Sequence, residues 1–399
     1  MKQYTFNQSV EHLKSSAVRE ILKLTQGKSI ISFAGGLPAE ELFPTEAVRE
    51  AFSRVFEQGT GALQYGLTEG YLPLRQEIAG RLQQKNIVAD TDDMLLTTGS
   101  QQAIDLFVRV YMDPGDVVLV EDPTYLAALQ LFQFYGLRAV PVKSDEHGMD
   151  PDDLLAKIAS FKPRMVYVVP TFANPTGNVW STERRKALLD ACKRHDILIL
   201  EDDPYGEIQF QEGAVYPKLI ALDDEPGSRN VVYTSTFSKT VAPALRTGWA
   251  VGPREVIVNM TRAKQASDLQ SSTMDQQALY QLLAHFPLDE HISRIADNYK
   301  GRMEWMESLL KEHQWEGVRW NTPKGGMFFW LELPEAIDAE ELLKRCVAKG
   351  VAFVPGAPFY AETPKRNTLR MNYTHSDRDT MLLGMDRFAE AVNETLVTK

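Results

Sequence analysis

The sequence predicts an α/β protein: a large domain built on a mostly parallel sheet flanked by helices, then a smaller α+β C-terminal domain. Two observations carry that expectation. Short β-branched runs alternate with helical patterns through the middle of the chain, as βα units feeding a sheet covered on both faces would. After about Ser271 the alternation stops, and one long amphipathic helix leads into a few short strands. Composition agrees. Of 399 residues, 44% are apolar, 10% aromatic and 24% charged, the balance of a chain that buries a sizeable core. That length asks for more than one core.

Before Phe33 one helical stretch, Ser16–Leu24, is expected to pack on the second domain or on a partner subunit. Strands are predicted at Met94–Thr98, Val117–Val120, Met165–Val169, Ile197–Glu201, Val231–Ser235 and Trp249–Val251. Helices at Gln101–Tyr111, Thr124–Tyr135 and Thr182–His195 separate several of them. Ile292, Ile295, Tyr299, Met303, Met306 and Leu310 recur at helical spacing and make the long helix. Strands at Met327–Leu333 and Val351–Val354, with helices at Ala339–Lys349 and Asp377–Asn393, complete the tail. The expected divisions are an N-terminal arm over 1–40, a large domain over 41–287 and a small one over 288–399.

Charge and cysteine usage narrow the function. The 43 basic residues are outnumbered by 54 acidic ones, a net charge of -11, and no Lys/Arg-rich run offers a nucleic-acid face. Cys192 and Cys346 lie far apart without CxxC spacing, which excludes a disulfide scaffold and argues against a zinc site. No run of about 18 apolar residues exists to span a bilayer, and the polar start Met1–Val10 lacks the core of a signal peptide. The expectation is a soluble, cytoplasmic protein with no membrane partner.

Four segments of the α/β region carry polar residues where a strand stops. Ligands of open parallel sheets sit at the carboxyl ends of strands, so these segments should converge on one crevice. Thr98-Gly99-Ser100-Gln101-Gln102 opens a helix: it is an ordinary Ser cap, or an anion site made by free amides. Asn174-Pro175-Thr176-Gly177 is a turn, or aims the Asn174 amide at a ligand oxygen. Glu201-Asp202-Asp203-Pro204-Tyr205 follows a buried run, where a carboxylate must cap a helix or face a cation. Thr236-Phe237-Ser238-Lys239 precedes Arg246 by a short loop; read alone its lysine is a surface group. Their order says more than any one of them. An anion cradle, an amide, a carboxylate, a lysine and an arginine at successive strand ends suit one ligand, a phosphorylated pyridine aldehyde held as an imine.

With these segments the chain resembles the fold-type I pyridoxal-phosphate aminotransferases of class I/II, and within them the α-aminoadipate/kynurenine aminotransferase branch. The likeness runs from about Ser16 to the C-terminus. Phe33-Ala34-Gly35-Gly36-Leu37-Pro38, Leu63-Gln64-Tyr65-Gly66, Pro323-Lys324-Gly325-Gly326-Met327-Phe328 and Leu369-Arg370-Met371-Asn372-Tyr373 carry it alongside the four segments above. The resemblance implies a seven-stranded sheet in the large domain and pyridoxal 5'-phosphate as cofactor. It implies Lys239 as Schiff-base lysine and proton shuttle, and Asp202 as partner of the pyridinium nitrogen, chosen over Asp203 by the spacing to Tyr205. Asn174 and Tyr205 would bond the ring's phenolic oxygen, and Tyr125 would stack on the ring. Ser100, Gln101, Thr236, Ser238 and Arg246 would hold the phosphate; Thr236 stands where the family often has Ser. Tyr65 would reach the phosphate from a second subunit, which implies a homodimer. Arg370 would grip the substrate α-carboxylate in a bidentate fork, helped by Gly36 and beside Asn174. Arg19 would meet the substrate side chain, or is a solvated helix residue beside Glu20.

The activity implied is ping-pong transfer of an amino group from an L-amino acid, such as 2-aminoadipate or an aromatic donor, to 2-oxoglutarate. A lyase of the same fold is the nearest alternative, disfavoured by Arg370 because gripping the carboxylate opposes its loss. A ligand-sensing domain related to aminotransferase-like transcription regulators is the other; the acidic chain and its start near the aminotransferase arm speak against it.

Overall fold

The computed structural model describes residues 4–11, 16, 19–21, 23, 30–223 and 229–397. Seven strands form the main sheet: β1 Met94–Thr97, β2 Val117–Glu121, β3 Arg138–Val142, β4 Met165–Val168, β5 Leu198–Asp202, β6 Val231–Thr236 and β7 Gly248–Val251. Their spatial order is β1-β7-β6-β5-β4-β2-β3. Only β7 runs against its neighbours β1 and β6; all other pairings are parallel. Strands β1 and β4 are buried along their whole length, as expected where helices cover both faces.

Helices α1 Thr45–Glu57, α2 Leu72–Gln83, α3 Ser100–Tyr111, α4 Leu126–Phe134, α5 Pro151–Phe161, α6 Thr182–Arg194, α7 Arg254–Ser267 and α8 Thr273–His285 supply those covers. Residues of α3, α4 and α7 pack with Leu95, Val118, Tyr167 and Leu200 on one face. Residues of α1, α2, α5, α6 and α8 pack with Met94, Leu119, Val166 and Ile199 on the other. The alternation of neighbours such as Val166 and Tyr167 between the two cores is the period-2 geometry of a strand.

The predicted long helix is α9, Leu288–Glu312, and it joins two cores: Leu288 and Ile292 belong to the sheet's, whereas Ile295 to Leu310 belong to a second one. That second core lies under a four-stranded sheet ordered β8-β9-β11-β10, from β8 Arg319–Trp320, β9 Phe328–Glu332, β10 Val354–Pro355 and β11 Thr368–Asn372. Helices α10 Ala339–Ala348 and α11 Arg378–Val397 cover it. No helix among the described residues is long and apolar enough to cross a membrane.

Several elements differ from the sequence reading, β8 and β11 among them, neither of which was read as a strand. β3 was missed because Pro141 interrupts its run; it is the sheet's edge, where a missing ladder donor is tolerated. The single strand expected over Val351–Val354 is two pieces that change partner at Phe353. Val351–Ala352 pairs in parallel with Ile31–Ser32, while Val354–Pro355 pairs with β11. Of the helix expected over Ser16–Leu24, residues 19–21 and 23 are helical, and most of the remainder lies outside the described residues. Ile21 is buried with Ala34, Leu126, Ala352 and Phe359, so this segment packs on both parts of the molecule.

Candidate active site

The parallel strands bring their carboxyl ends to one edge of the sheet, and the four polar segments meet there. They line a cavity of about 180 Å³ together with Tyr125, Val169, Pro204 and Pro243; its polar lining is Ser100, Gln101, Asn174, Asp202, Tyr205, Thr236, Ser238, Lys239 and Arg246.

At the end of β5 three consecutive carboxylates take three directions. Glu201 accepts from the backbone N–H groups of Leu219 (2.9 Å) and Ile220 (3.1 Å) and lies 3.8 Å from the buried Arg185 guanidinium. Asp203 accepts from the Tyr233 hydroxyl at 2.9 Å and pairs with Lys218 at 2.8 Å. Asp202 alone faces the cavity. Its Oδ2 accepts from the Tyr167 hydroxyl at 2.8 Å, and its Oδ1 is buried with no partner among the described residues. Burial pushes the Asp202 carboxyl up to about 7; the Tyr167 bond opposes that and the neighbouring Asp203 charge adds to it.

Lys239 follows β6. Its Nζ donates to the Gly36 carbonyl at 2.8 Å, which ties the loop to the N-terminal segment. Burial, helped by the positive charges of Arg370 and Arg246, lowers its amine to about 8. Beside it the hydroxyls gather. Thr236 Oγ1 and Ser238 Oγ lie 2.9 Å apart, Arg246 Nη1 donates to Ser238 Oγ at 3.2 Å, and Arg246 Nη2 donates to the Thr98 carbonyl at 3.2 Å. The start of α3 closes this cluster. Gly99 is held at φ +77°, where a Cβ would lie 2.4 Å from Arg246 Nη2, so only glycine lets the guanidinium approach the helix end. Free amides of a twelve-residue helix, three hydroxyls and an arginine form a cradle suited to an anion.

On the opposite side of Asn174 lies a buried chain of polar contacts. Asn174 Nδ2 donates to the Tyr205 oxygen at 3.5 Å, and Asn174 Oδ1 accepts from Arg370 Nη1 at 2.6 Å. Arg370 Nη2 donates to the Ala34 carbonyl at 2.7 Å, and its Nε has no partner among the described residues. The guanidinium lies over Phe328 at 4.2 Å and Phe359 at 5.2 Å, and burial lowers it to about 10. Arg370 stands behind Asn174 and is not itself part of the cavity lining.

Two sequence-derived candidates lie elsewhere. Tyr65 is 77% exposed, and Arg19 is exposed; neither lines the cavity within this chain. Sequence reading missed Tyr167, the partner of Asp202. The available signal was a phenol inside the otherwise apolar run Met165–Val168, since a buried tyrosine hydroxyl needs a partner.

A polar cavity at the carboxyl edge of a parallel sheet, holding an amine of lowered pKa and an anion cradle, places the protein among enzymes that bind a small anionic ligand and do chemistry at an amine. The comparisons make the class particular. Residues 28–388 match the family described as aminotransferase class I and II, and the chain belongs to it. It is 41% identical over 398 residues to the aromatic-amino-acid aminotransferase 1 of Thermococcus litoralis, covering 98% of this chain and 94% of that relative. It is 40% identical over 392 residues to the 2-aminoadipate transaminase of Thermus thermophilus, covering 98% and 97%. The solved structure of Pyrococcus horikoshii kynurenine aminotransferase, in complex with PMP, superposes with a TM-score of 0.92 at 41% identity, covering 98% of this chain and 97% of that one. The resemblance to the aminoadipate/kynurenine aminotransferase branch, the fold class and the standing as an enzyme all hold.

Proposed function

We propose that this aminotransferase binds pyridoxal phosphate in the cavity described and moves amino groups from 2-aminoadipate, aromatic or related L-amino acids to 2-oxoglutarate. One observation carries the reading: Asp202, whose buried Oδ1 has no partner among the described residues, lines one cavity with Lys239. A carboxylate left so is costly unless a cation or donor comes to it, and a protonated pyridine nitrogen is such a group. The residues therefore fit the cofactor. Relatives in the same branch support the donor class, and the kynurenine enzyme's complex with PMP supports the cofactor.

When bound, pyridoxal phosphate supplies a carbonyl that condenses with amines and a conjugated ring that accepts the electron pair left at the donor's Cα. The chain's part is binding, orientation and proton movement. Lys239, lowered to about 8, is neutral in a useful fraction of molecules near neutral pH, so its Nζ can act as nucleophile and then carry a proton as base and acid. Asp202 would hold the ring nitrogen's proton. Ser100, Gln101, Thr236, Ser238 and Arg246 would hold the phosphate, and Tyr125 would stack on the ring. Asn174 and Tyr205 would bond its phenolic oxygen. Arg370, with Nε and the second hydrogens of both Nη atoms still available, meets the donor's α-carboxylate near Gly36.

The second subunit belongs to the same proposal. Leu63, Tyr65, Leu67 and Leu269 are exposed apolar side chains on this chain, and a homodimer that covers them would carry Tyr65 to the partner's cradle. Arg19 remains the candidate for contact with the donor side chain.

The test is a panel of L-amino acids with 2-oxoglutarate, reading glutamate formed by protein loaded with pyridoxal phosphate, beside borohydride reduction and mass mapping of the modified lysine. Glutamate formation with label on Lys239 is expected. Continuous product release without an oxo acid would establish a lyase instead.

A further inference from the structure

We infer that Tyr167 is a positioning residue for Asp202: its hydroxyl holds Oδ2 so that Oδ1 is presented to the cavity and the shared proton stays on the cofactor's ring nitrogen. This rests on the pairing of Asp202 with that nitrogen proposed above.

The strand geometry explains how a tyrosine reaches this carboxylate. β4 and β5 are parallel with Tyr167 beside Leu200, and both side chains enter the core under α3, α4 and α7. Asp202 is two residues beyond Leu200 on the same strand, hence on the same face. A phenol lying along that face from position 167 therefore ends at Asp202, and its hydroxyl donates to Oδ2 at 2.8 Å. Phe132 meets the tyrosine ring edge-on, centroids 5.6 Å apart at 75°, which fixes the ring's tilt.

Two further facts separate this from a tyrosine that merely satisfies itself. Tyr167 is fully buried and is absent from the cavity lining, so it acts on a ligand only through Asp202. It is also the only hydrogen-bond donor that the described residues give the Asp202 side chain. A carboxylate that accepts a bond from a neutral hydroxyl is a weaker base than a bare one in the same dry site. Removing the hydroxyl makes Asp202 more basic and draws the proton from the ring nitrogen to the carboxylate. The isosteric Tyr167→Phe keeps the packing and deletes only that donor.

The experiment reads the ring nitrogen directly. Holoenzyme is prepared with pyridoxal phosphate isotope-labelled at that nitrogen, and its NMR resonance is compared in wild type, Tyr167→Phe and a protein carrying 3-fluorotyrosine at 167. The resonance of Tyr167→Phe is expected to move toward that of an unprotonated pyridine. The more acidic fluorinated hydroxyl, which tolerates the same packing should the phenylalanine variant fail to fold, is expected to move it the other way. Alongside, kcat should fall about tenfold, the scale of one hydrogen bond to a charged group, while KM for amino donors stays within a factor of two or so because Tyr167 touches no donor. An unchanged resonance in the variant that folds overturns the role of Tyr167. A wild-type resonance already that of a free pyridine, insensitive to Asp202→Asn, would instead remove the pairing of Asp202 on which the role rests.

Discussion

Asp202→Asn should make the cofactor-free protein more stable at neutral pH while crippling the loaded enzyme. The Asp202 carboxyl is 3% exposed and raised from 3.8 to about 7 by burial. The sign follows from proton counting. Below pH 4 the group is protonated whether the chain is folded or not, and it contributes nothing. Between roughly pH 4 and 7 the folded state holds a proton that the unfolded state has lost, so stability falls as pH rises. Above 7 the folded state carries a buried charge, and the total penalty is about 4 kcal/mol at 1.36 kcal/mol per pH unit. Asparagine keeps the shape and still accepts from Tyr167, but it has no such dependence. Urea unfolding of both apoproteins at fixed concentration, from pH 5.5 to 8.5, should show the variant's advantage growing by about 2 kcal/mol up to pH 7 and levelling beyond it. Other buried carboxylates such as Glu121 and Glu201, both raised to about 7, tilt the two proteins equally and cancel in the difference. Adding pyridoxal phosphate should shrink or reverse the variant's advantage, because the cradle holds the cofactor in both proteins but only Asp202 adds a counter-charge for its ring nitrogen. A difference that stays flat with pH would refute the reasoning at its root.

Other perturbations isolate the remaining parts. Lys239→Ala should retain pyridoxal phosphate through the cradle yet yield no borohydride-trapped adduct and lose several orders of magnitude in kcat; wild-type turnover would remove the lysine from the mechanism. In wild type, the rate at which apoprotein captures the cofactor covalently should rise with pH through about 8 and then level as Lys239 becomes fully neutral; stopped-flow absorbance reads this, and a pH-independent rate contradicts it. Gly99→Ala forces a side chain into a φ of +77° and against Arg246. A loss of about 1–3 kcal/mol in stability, with weaker binding of both cofactor and inorganic phosphate, is expected by denaturation and titration. Arg370→Lys keeps the charge and loses the fork; KM for amino donors should rise at least about tenfold with cofactor affinity nearly unchanged, and loss of cofactor would mean that Arg370 serves the wrong ligand.

Much of this site was legible because strands that stop at polar residues are conspicuous in an apolar sheet. β1, β4, β5 and β6 were found within a residue or so of their observed ends, and each delivers at least one residue read at its end to the cavity. What escaped depends on contacts between distant segments. The bond from Lys239 to Gly36 joins residues 203 positions apart, and the one from Arg370 to Asn174 joins residues 196 apart; no local pattern encodes either. β3 escaped for a different reason, since Pro141 is a strand breaker everywhere but at an edge. Tyr167 was read as one more apolar strand residue, because its polar atom acquires meaning only when β5 lies beside it.

The run Glu201-Asp202-Asp203 shows why composition alone could not choose among carboxylates. Alternation along β5 sends Glu201 into the core on the α6 side and Asp202 toward α3, and the strand's end at Asp202 frees Asp203 to turn away. Glu201 finds two backbone donors and Arg185, and Asp203 finds Lys218 and Tyr233 on Oδ2, so each has a cation supplied by the protein itself, although Asp203 Oδ1 is also buried without a hydrogen bond among the described residues. Asp202 alone of the three lines the cavity; it receives one hydroxyl, no cation among the described residues, and keeps one oxygen bare. A fold that needed only stability would place an apolar residue there, as volume-matched replacements of buried charges commonly stabilise. The bare oxygen is therefore the feature that a stabilising sequence would remove and that a ligand with a cationic ring requires.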